Sequence, residues 1–311
     1  MKSLLLPCFN ALSITPIYIS YRCKHMQYLN LSFGETLHKA MSTCLHRIVE
    51  ENQKSGETEL RCAGNSLPDD NAAISTLIAS MRNALLRGYA SHWWAGVQPG
   101  FFTLGISLFG SVAGVLPYLL PRCKNLFSEI GFHNIELVSV CDGQWRPLHL
   151  RSGKLTPVPV QFNAKSFAHV SPLSGKLQLE FISPVSLYNN HRHAGNMAFG
   201  DLVYHLCKRM SNIEAVYCNG KDCSKDVLKQ QCEAWNYEFV LNEAQIVWQQ
   251  TLLSKRMPLG GYTGKLVYGA HPKAIEQWLP LLLLGSYVQA GSATNYGMGK
   301  YTVSHECYRV M

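Results

Sequence analysis

The sequence predicts an α+β protein assembled from two similar halves. Three observations predict it. Strand-like stretches with alternating or β-branched and aromatic residues are interspersed with stretches whose apolar residues recur every three to four positions. That mixture occurs twice, on either side of a break at 141–157 that holds Asp142, Gly143, Pro147, Gly153 and Pro157. The chain has 311 residues, 47% of them hydrophobic and 15% charged, which suffices for two cores of ordinary size.

Taken in order, residues 11–32 read as a strand rich in Ile, Tyr and Leu. Gly34 precedes a helix over 35–51, where Leu37, Met41, Cys44, Leu45 and Val49 share one face. Residues 53–68 are polar and read as a loop, and 70–87 as a second helical or mixed segment. A strand at 100–107 follows, then a helical stretch at 110–131 shaped by Pro117 and Pro121, then a strand at 135–140. After the break, KLQLEF at 176–181 alternates as a strand, and 199–211 forms a helix with Leu202, Leu206 and Met210 on one side. Strands are expected at 235–240, 246–251 and 264–268, a helix at 272–284, and a closing strand at 300–304. Each half combines strands with about two helices, an order that fits a pair of ferredoxin-like domains at 1–145 and 158–311.

The charge is uneven. Lys and Arg exceed Asp and Glu by 28 to 20, and of that surplus of eight, three lie in residues 1–50 and four in 251–311. Basic ends suit a polyanion if they meet in space, although a solvated basic surface has the same composition. Eleven scattered cysteines fit reduced thiols better than a disulfide framework. Cys218, Cys223 and Cys232 lack the paired C-x2-C spacing of a strong zinc site, so no metal and no cofactor are expected. Pro7 and Asn10 interrupt the apolar start, and no run is long enough to span a bilayer, so a cytoplasmic protein without a membrane partner is expected. There is no P-loop, dinucleotide fingerprint or G-x-S-x-G to support a small-molecule enzyme.

The stretch GSYVQAGSATNYGMGKY at 285–301 is the most informative, with Gly285, Gly291, Gly297 and Gly299 directly after an apolar run. Glycines let a backbone approach a partner closely, and their N–H groups can wrap a phosphate. Other motifs stand in order before it. They are Leu37-His38, Leu108-Phe109-Gly110 with Leu116-Pro117, Ser183-Pro184, the helix residues Phe199, Leu202 and Arg209, Trp248, Ser254-Lys255-Arg256, and Gly260-Gly261-x-x-Gly264. In this order the chain resembles the CRISPR repeat-processing endoribonucleases of the RAMP superfamily, over nearly its whole length and most strongly from Lys176 onward.

The resemblance implies two tandem ferredoxin-like (RAMP/RRM-like) domains with a cleft between them. It implies CRISPR repeat RNA, precursor and mature, as partner, with other effector-complex subunits as further partners. It also implies a metal-independent cut in which the ribose 2′-OH attacks the adjacent phosphate, leaving a 2′,3′-cyclic phosphate and a 5′-OH.

Such a reaction needs a base, an acid and positive charge around phosphorus. His38 is the first candidate, because relatives place a histidine near the start of the first helix. His46, the second catalytic candidate, lies eight residues on, about 12 Å along a straight helix but only ~80° around it, so it could line the same cleft. Lys39 and Arg47 stand beside these histidines as candidate phosphate contacts. Lys255 and Arg256 are expected on the RNA path, with Gly291, Gly297, Gly299 and Lys300 as an RNA-facing wall. Tyr262, Tyr287 and Tyr296 are candidates for base stacking. Some relatives carry a histidine and a lysine in the glycine-loop region, whereas the corresponding positions here are Gln289 and Ser292. That departure moves the chemistry to the first helix. It also keeps open a second reading, a non-catalytic RAMP subunit that binds guide RNA in an effector complex.

Overall fold

The computed structural model describes residues 9–23, 33–54, 89–95, 99–151, 154–189, 192–193, 197–220, 225–254 and 257–310. Two units result, one of Thr15–Gln161 and one of Phe162–Met311 together with the chain up to Ile14.

In the first unit, β1 (Ile14–Cys23) buries Ile17, Ile19, Tyr21 and Cys23 and turns the half-buried Tyr18 and Ser20 and the exposed Arg22 the other way. This two-residue period is what a one-sided strand requires. Helix α1 (Phe33–Lys54) buries Leu37, Ala40, Met41, Cys44, Leu45 and Ile48, a stripe at helical spacing. Then come β2 (Tyr89–Ala95), β3 (Phe101–Phe109), the short α2 (Leu116–Arg122), β4 (Ile135–Asp142) and the small hairpin β5 (His149–Arg151) and β6 (Lys154–Thr156). The main sheet runs β2-β3-β1-β4, with β1–β4 and β2–β3 antiparallel. Its core closes on Tyr21, whose ring stacks on Phe102 at 5.3 Å and meets Phe127 edge-on at 5.0 Å. The Tyr21 hydroxyl donates to the Cys123 carbonyl at 2.9 Å, so the buried phenol is satisfied.

The second unit comprises β7 (Val170–Pro172), β8 (Lys176–Val185), the two-residue β9 (Tyr188–Asn189) and β10 (Arg192–His193), α3 (Phe199–Tyr217), α4 (Lys225–Glu238), β11 (Val240–Ser254), β12 (Met257–Gly269), α5 (Pro272–Val288), β13 (Tyr301–Val303) and β14 (Tyr308–Val310). Its main sheet runs β11-β12-β8-β13. Both main sheets therefore place their strands in the spatial order second, third, first, fourth, the ferredoxin-like arrangement expected from the sequence.

Several elements differ from expectation. The stretch 110–131 is not one helix: short 3-10 segments at Gly110–Val115, Cys123–Asn125 and Ser128–Ile130 flank the seven-residue α2. Pro117 fits the first helical turn, where no N–H is needed, but Pro121 removes an internal donor and the helix stops after Arg122. Residues 235–238 are helical rather than extended. Leu228, Trp235 and Phe239 are buried at spacings of seven and four, and Trp235 packs edge-on to Trp278 at 4.8 Å. Strand β2 was not anticipated, because it buries polar Ser91 and His92 and shows no clean alternation. The segment expected as helical or mixed at 70–87 lies outside the described residues.

The start of β1 belongs to the second unit for a physical reason. Ile14 and Phe162 exchange both backbone hydrogen bonds, at 2.9 and 2.8 Å. The Ala11 N–H donates to Glu214 Oε1 at 2.7 Å. Burial raises the Glu214 carboxyl above its ordinary range, against the pull of the Ala11 and Leu12 N–H groups. The described residues of the stretch 141–157, read as a break, fold as a tight turn followed by β5 and β6. No described helix is long and apolar enough to cross a membrane.

Candidate active site

Helix α1 determines how its polar residues are presented. Because Leu37 and Met41 face the core, His38 falls at the border of the apolar stripe and is half-buried, while Lys39, His46 and Arg47 are exposed. His38 Nδ1 lies 3.1 Å from the hydroxyl of Tyr89, the first residue of β2, and Tyr89 is fully buried. Partial burial lowers the His38 pKa, because desolvation disfavours the imidazolium. The result is a neutral imidazole with one nitrogen anchored by a rigid phenol.

The other α1 candidates are placed differently. Helix α1 runs unbroken from Phe33 to Lys54, so His46 keeps its offset from His38 of about 12 Å along the axis. Arg47 reaches Glu129 at 2.9 Å, with its own side chain half exposed and that of Glu129 only 14% exposed. The guanidinium therefore has a carboxylate partner within the unit. Lys39 extends into solvent.

In the second unit, Gly291, Gly299 and Lys300 come together beside the end of β8, while Gly297 (φ +83°) closes the short 3-10 turn Thr294–Tyr296. The motif Ser183-Pro184 and the glycine stretch, more than a hundred residues apart, are one device. The Lys300 N–H donates to Ser183 Oγ at 2.8 Å, and the Gly299 N–H donates to the Pro184 carbonyl at 2.8 Å. Ala290 N–H donates to the Gly299 carbonyl at 2.9 Å, and Ser292 N–H to the Ser186 carbonyl at 3.2 Å. A Cβ on Gly299 (φ +78°) would collide with the Ala290 carbonyl, and one on Gly291 (φ +80°) with the Ser186 carbonyl. These N–H groups are engaged within the fold, and the two glycines are required by close backbone approach. Gly285, by contrast, is inside α5 and is not part of the loop.

Lys300 is 8% exposed, and burial lowers its ammonium to about 8. It donates to the Ser286 carbonyl at 3.0 Å and lies 5.3 Å from the Tyr287 ring centre. Arg209, lowered to about 10 by burial, donates from Nε to the Val288 carbonyl at 3.0 Å. Both cations thus sit on the last turn of α5, where carbonyl ends concentrate negative potential and the helix's own last turn carries no basic residue. Gln289 is fully buried and Ser292 half-buried.

Beyond Tyr262, where β8 ends its pairing, β11 and β12 continue as a two-stranded ribbon to the pair Ser254–Met257. Trp248 and Tyr262 face each other across it, ring centres 4.9 Å apart, with Trp248 40% exposed. Lys255 and Arg256 lie outside the described residues. Tyr287 packs on Phe162 at 5.0 Å, and Tyr296 is half-buried. The sequence reading missed Tyr89. The hint would have been a lone tyrosine opening a strand that pairs with the Leu-Phe-Gly strand, since Tyr89 lies opposite Leu108. Among the described residues, no three His, Cys, Asp or Glu side chains are grouped to hold a metal ion.

Residues 179–301 match the family CRISPR-associated endoribonuclease Cas6. Among solved structures, Thermus thermophilus Cas6 is similar, with 13% identity, 94% of this chain and 99% of that chain covered, and a TM-score of 0.56. A Cas6 product complex is similar at 13% identity, covering 94% of this chain and 100% of that chain, with a TM-score of 0.58. A partial Cas6-RT-Cas1–Cas2 complex is similar at 14% identity, covering 97% of this chain and 47% of that chain, with a TM-score of 0.54. At such identities the structural likeness establishes the fold. No curated protein sequence matches. The resemblance to the CRISPR repeat-processing endoribonucleases, first read from ordered motifs, is borne out by the family match over residues 179–301 and by a Cas6-like fold over nearly the whole chain.

Proposed function

We propose that this protein is an endoribonuclease that cuts CRISPR repeat RNA in precursor transcripts to release guide RNA, with His38 as the general base. The observation that carries the reading is the half-buried, neutral His38, anchored through Nδ1 by Tyr89. When Nδ1–H donates to the Tyr89 oxygen, the ring is in the tautomer whose Nε2 carries the lone pair, and that nitrogen takes the 2′-OH proton. The freed 2′-oxygen attacks phosphorus and the bond to the 5′-oxygen breaks. That oxygen leaves with a proton from an acid, giving a 2′,3′-cyclic phosphate and a 5′-OH without a metal. His46 stands too far along α1 to share a hydrogen bond with the same phosphate oxygens as His38. It is better suited, with Lys39, to the RNA path. Lys255 and Arg256 add phosphate contacts, and the glycine loop is an RNA-facing wall of the second unit.

A second reading, a non-catalytic RNA-binding subunit of a CRISPR effector complex, draws on one observation: the glycine loop offers buried Gln289, half-buried Ser292 and inward-held Lys300 rather than an exposed proton donor. Incubating labelled repeat RNA with the protein in EDTA separates the two. A discrete cut ending in a cyclic phosphate that disappears in His38→Ala supports the enzyme. Tight binding without cleavage of the cognate repeat supports the subunit, and full activity in His38→Ala overturns the assignment of the base.

A further inference from the structure

Outside the candidate site, the turn after β4 carries an exposed tryptophan in a conformation that costs energy. Trp145 has φ +62°, a left-handed backbone that bulky residues rarely adopt, and it is 54% exposed. Its ring stacks face to face on Tyr18 of β1, centres 4.3 Å apart and planes 16° from parallel.

The turn is held closed by one buried carboxylate. Asp142 Oδ1 accepts the N–H of Gln144 at 2.9 Å and of Arg146 at 3.0 Å, and Oδ2 accepts from Arg146 Nε at 2.8 Å and its terminal nitrogen at 2.6 Å. Burial works to raise the Asp142 carboxyl, but the Arg146 guanidinium and the surrounding N–H groups outweigh it and hold it below the usual range. A large aromatic face is thus kept rigid and open to solvent by a dedicated clamp.

The chain around it within this unit is one-signed. Residues 143–161 contain Arg146, Arg151 and Lys154 and no Asp or Glu. Arg151 and Lys154 of the β5–β6 hairpin are exposed. A rigid aromatic face followed closely in the chain by two exposed cations has the chemistry that takes an unpaired nucleotide, the base stacking on the ring and the phosphates meeting the cations.

We propose that Trp145, backed by Tyr18, is a stacking platform for an unpaired base of the bound RNA, with Arg151 and Lys154 contacting the adjacent phosphates. The proposal rests on the RNA-processing reading and names a contact separate from the cutting residues. It is tested by fluorescence anisotropy with a short unstructured RNA carrying 2-aminopurine, for wild type, Trp145→Ala and Trp145→Tyr.

Trp145→Ala should weaken binding on the order of 5- to 100-fold and abolish 2-aminopurine quenching, while Trp145→Tyr retains both. Wild-type affinity and quenching in Trp145→Ala overturn the platform. If the alanine variant does not fold, the double variant Arg151→Gln/Lys154→Gln decides. Its slope of log K against log salt should fall by roughly 1.4, about 0.7 per phosphate contact on a single strand, and an unchanged slope overturns the proposal. Wild type that still cuts repeat RNA in either overturning case leaves the RNA-processing reading standing. Wild type that neither binds nor cuts RNA removes both.

Discussion

His38 Nδ1 and the Tyr89 hydroxyl lie 3.1 Å apart, joining the first helix to the opening residue of β2 through one hydrogen bond. The contact holds the imidazole ring and, through the hydrogen bond at Nδ1, bears on which tautomer the ring adopts. His38→Ala should lower cleavage of repeat RNA by roughly 10²- to 10⁴-fold, the usual contribution of a placed proton-transfer group, with RNA affinity retained. Tyr89→Phe keeps the buried ring and removes the hydroxyl that meets His38. It should lower single-turnover cleavage by about tenfold at unchanged affinity, and unchanged cleavage would remove Tyr89 from the positioning of His38.

The lowered His38 pKa gives a pH dependence of known sign. The folded state favours the neutral imidazole, so its contribution to stability is complete above the unfolded value of about 6.5 and is lost as the pH falls through the folded pKa. The base form therefore persists at neutral pH, and cleavage should decline only below about pH 6.5. A pH–rate profile of single-turnover cleavage checks this. An acid limb rising above pH 7 contradicts a depressed His38.

Lys300 has the corresponding behaviour at the basic end. Its folded pKa is about 8, against 10.5 for the free side chain. Between those values the unfolded chain binds the proton that the native state has released, so stability rises with pH across this window. Denaturant titrations from pH 7.5 to 10.5 should show that rise in the wild type and not in Lys300→Met. Parallel curves for the two proteins would place the Lys300 ammonium in contact with solvent.

Gly299→Ala should destabilise the second unit by more than about 2 kcal/mol, because φ +78° disfavours a side chain and the new Cβ meets the Ala290 carbonyl. Thermal unfolding measures it. Since Gly299 also carries the bond to Pro184, a variant of wild-type stability would show that the close approach does not hold the loop.

Asp142→Asn should cost about 1–2 kcal/mol, a charged hydrogen-bond contribution reduced because the Arg146 side chain is 44% exposed. The depressed carboxyl contributes fully above about pH 4 and loses that contribution as the pH falls through its folded pKa, so wild type and variant should converge in acid. Chemical denaturation over a pH series from 7 downward tests this, and a difference that does not shrink as the pH falls below about 4 contradicts the carboxylate clamp.

The sequence by itself determined the repeated α+β plan, the apolar stripe of α1 and the ordered motifs of the family. These are local patterns, and a strand or amphipathic helix writes its period directly into neighbouring residues. Only the tertiary structure decided what the polar residues do, because their partners lie far away in the chain. It joined Ser183-Pro184 to Gly299-Lys300, placed Lys300 on the end of α5 and set Tyr89 against His38, pairs whose sequence separation leaves no period to read. It also turned the apparent break at 141–157 into a clamped turn. A buried Asp142 and a Trp145 in left-handed backbone look, in one dimension, like the punctuation of a linker.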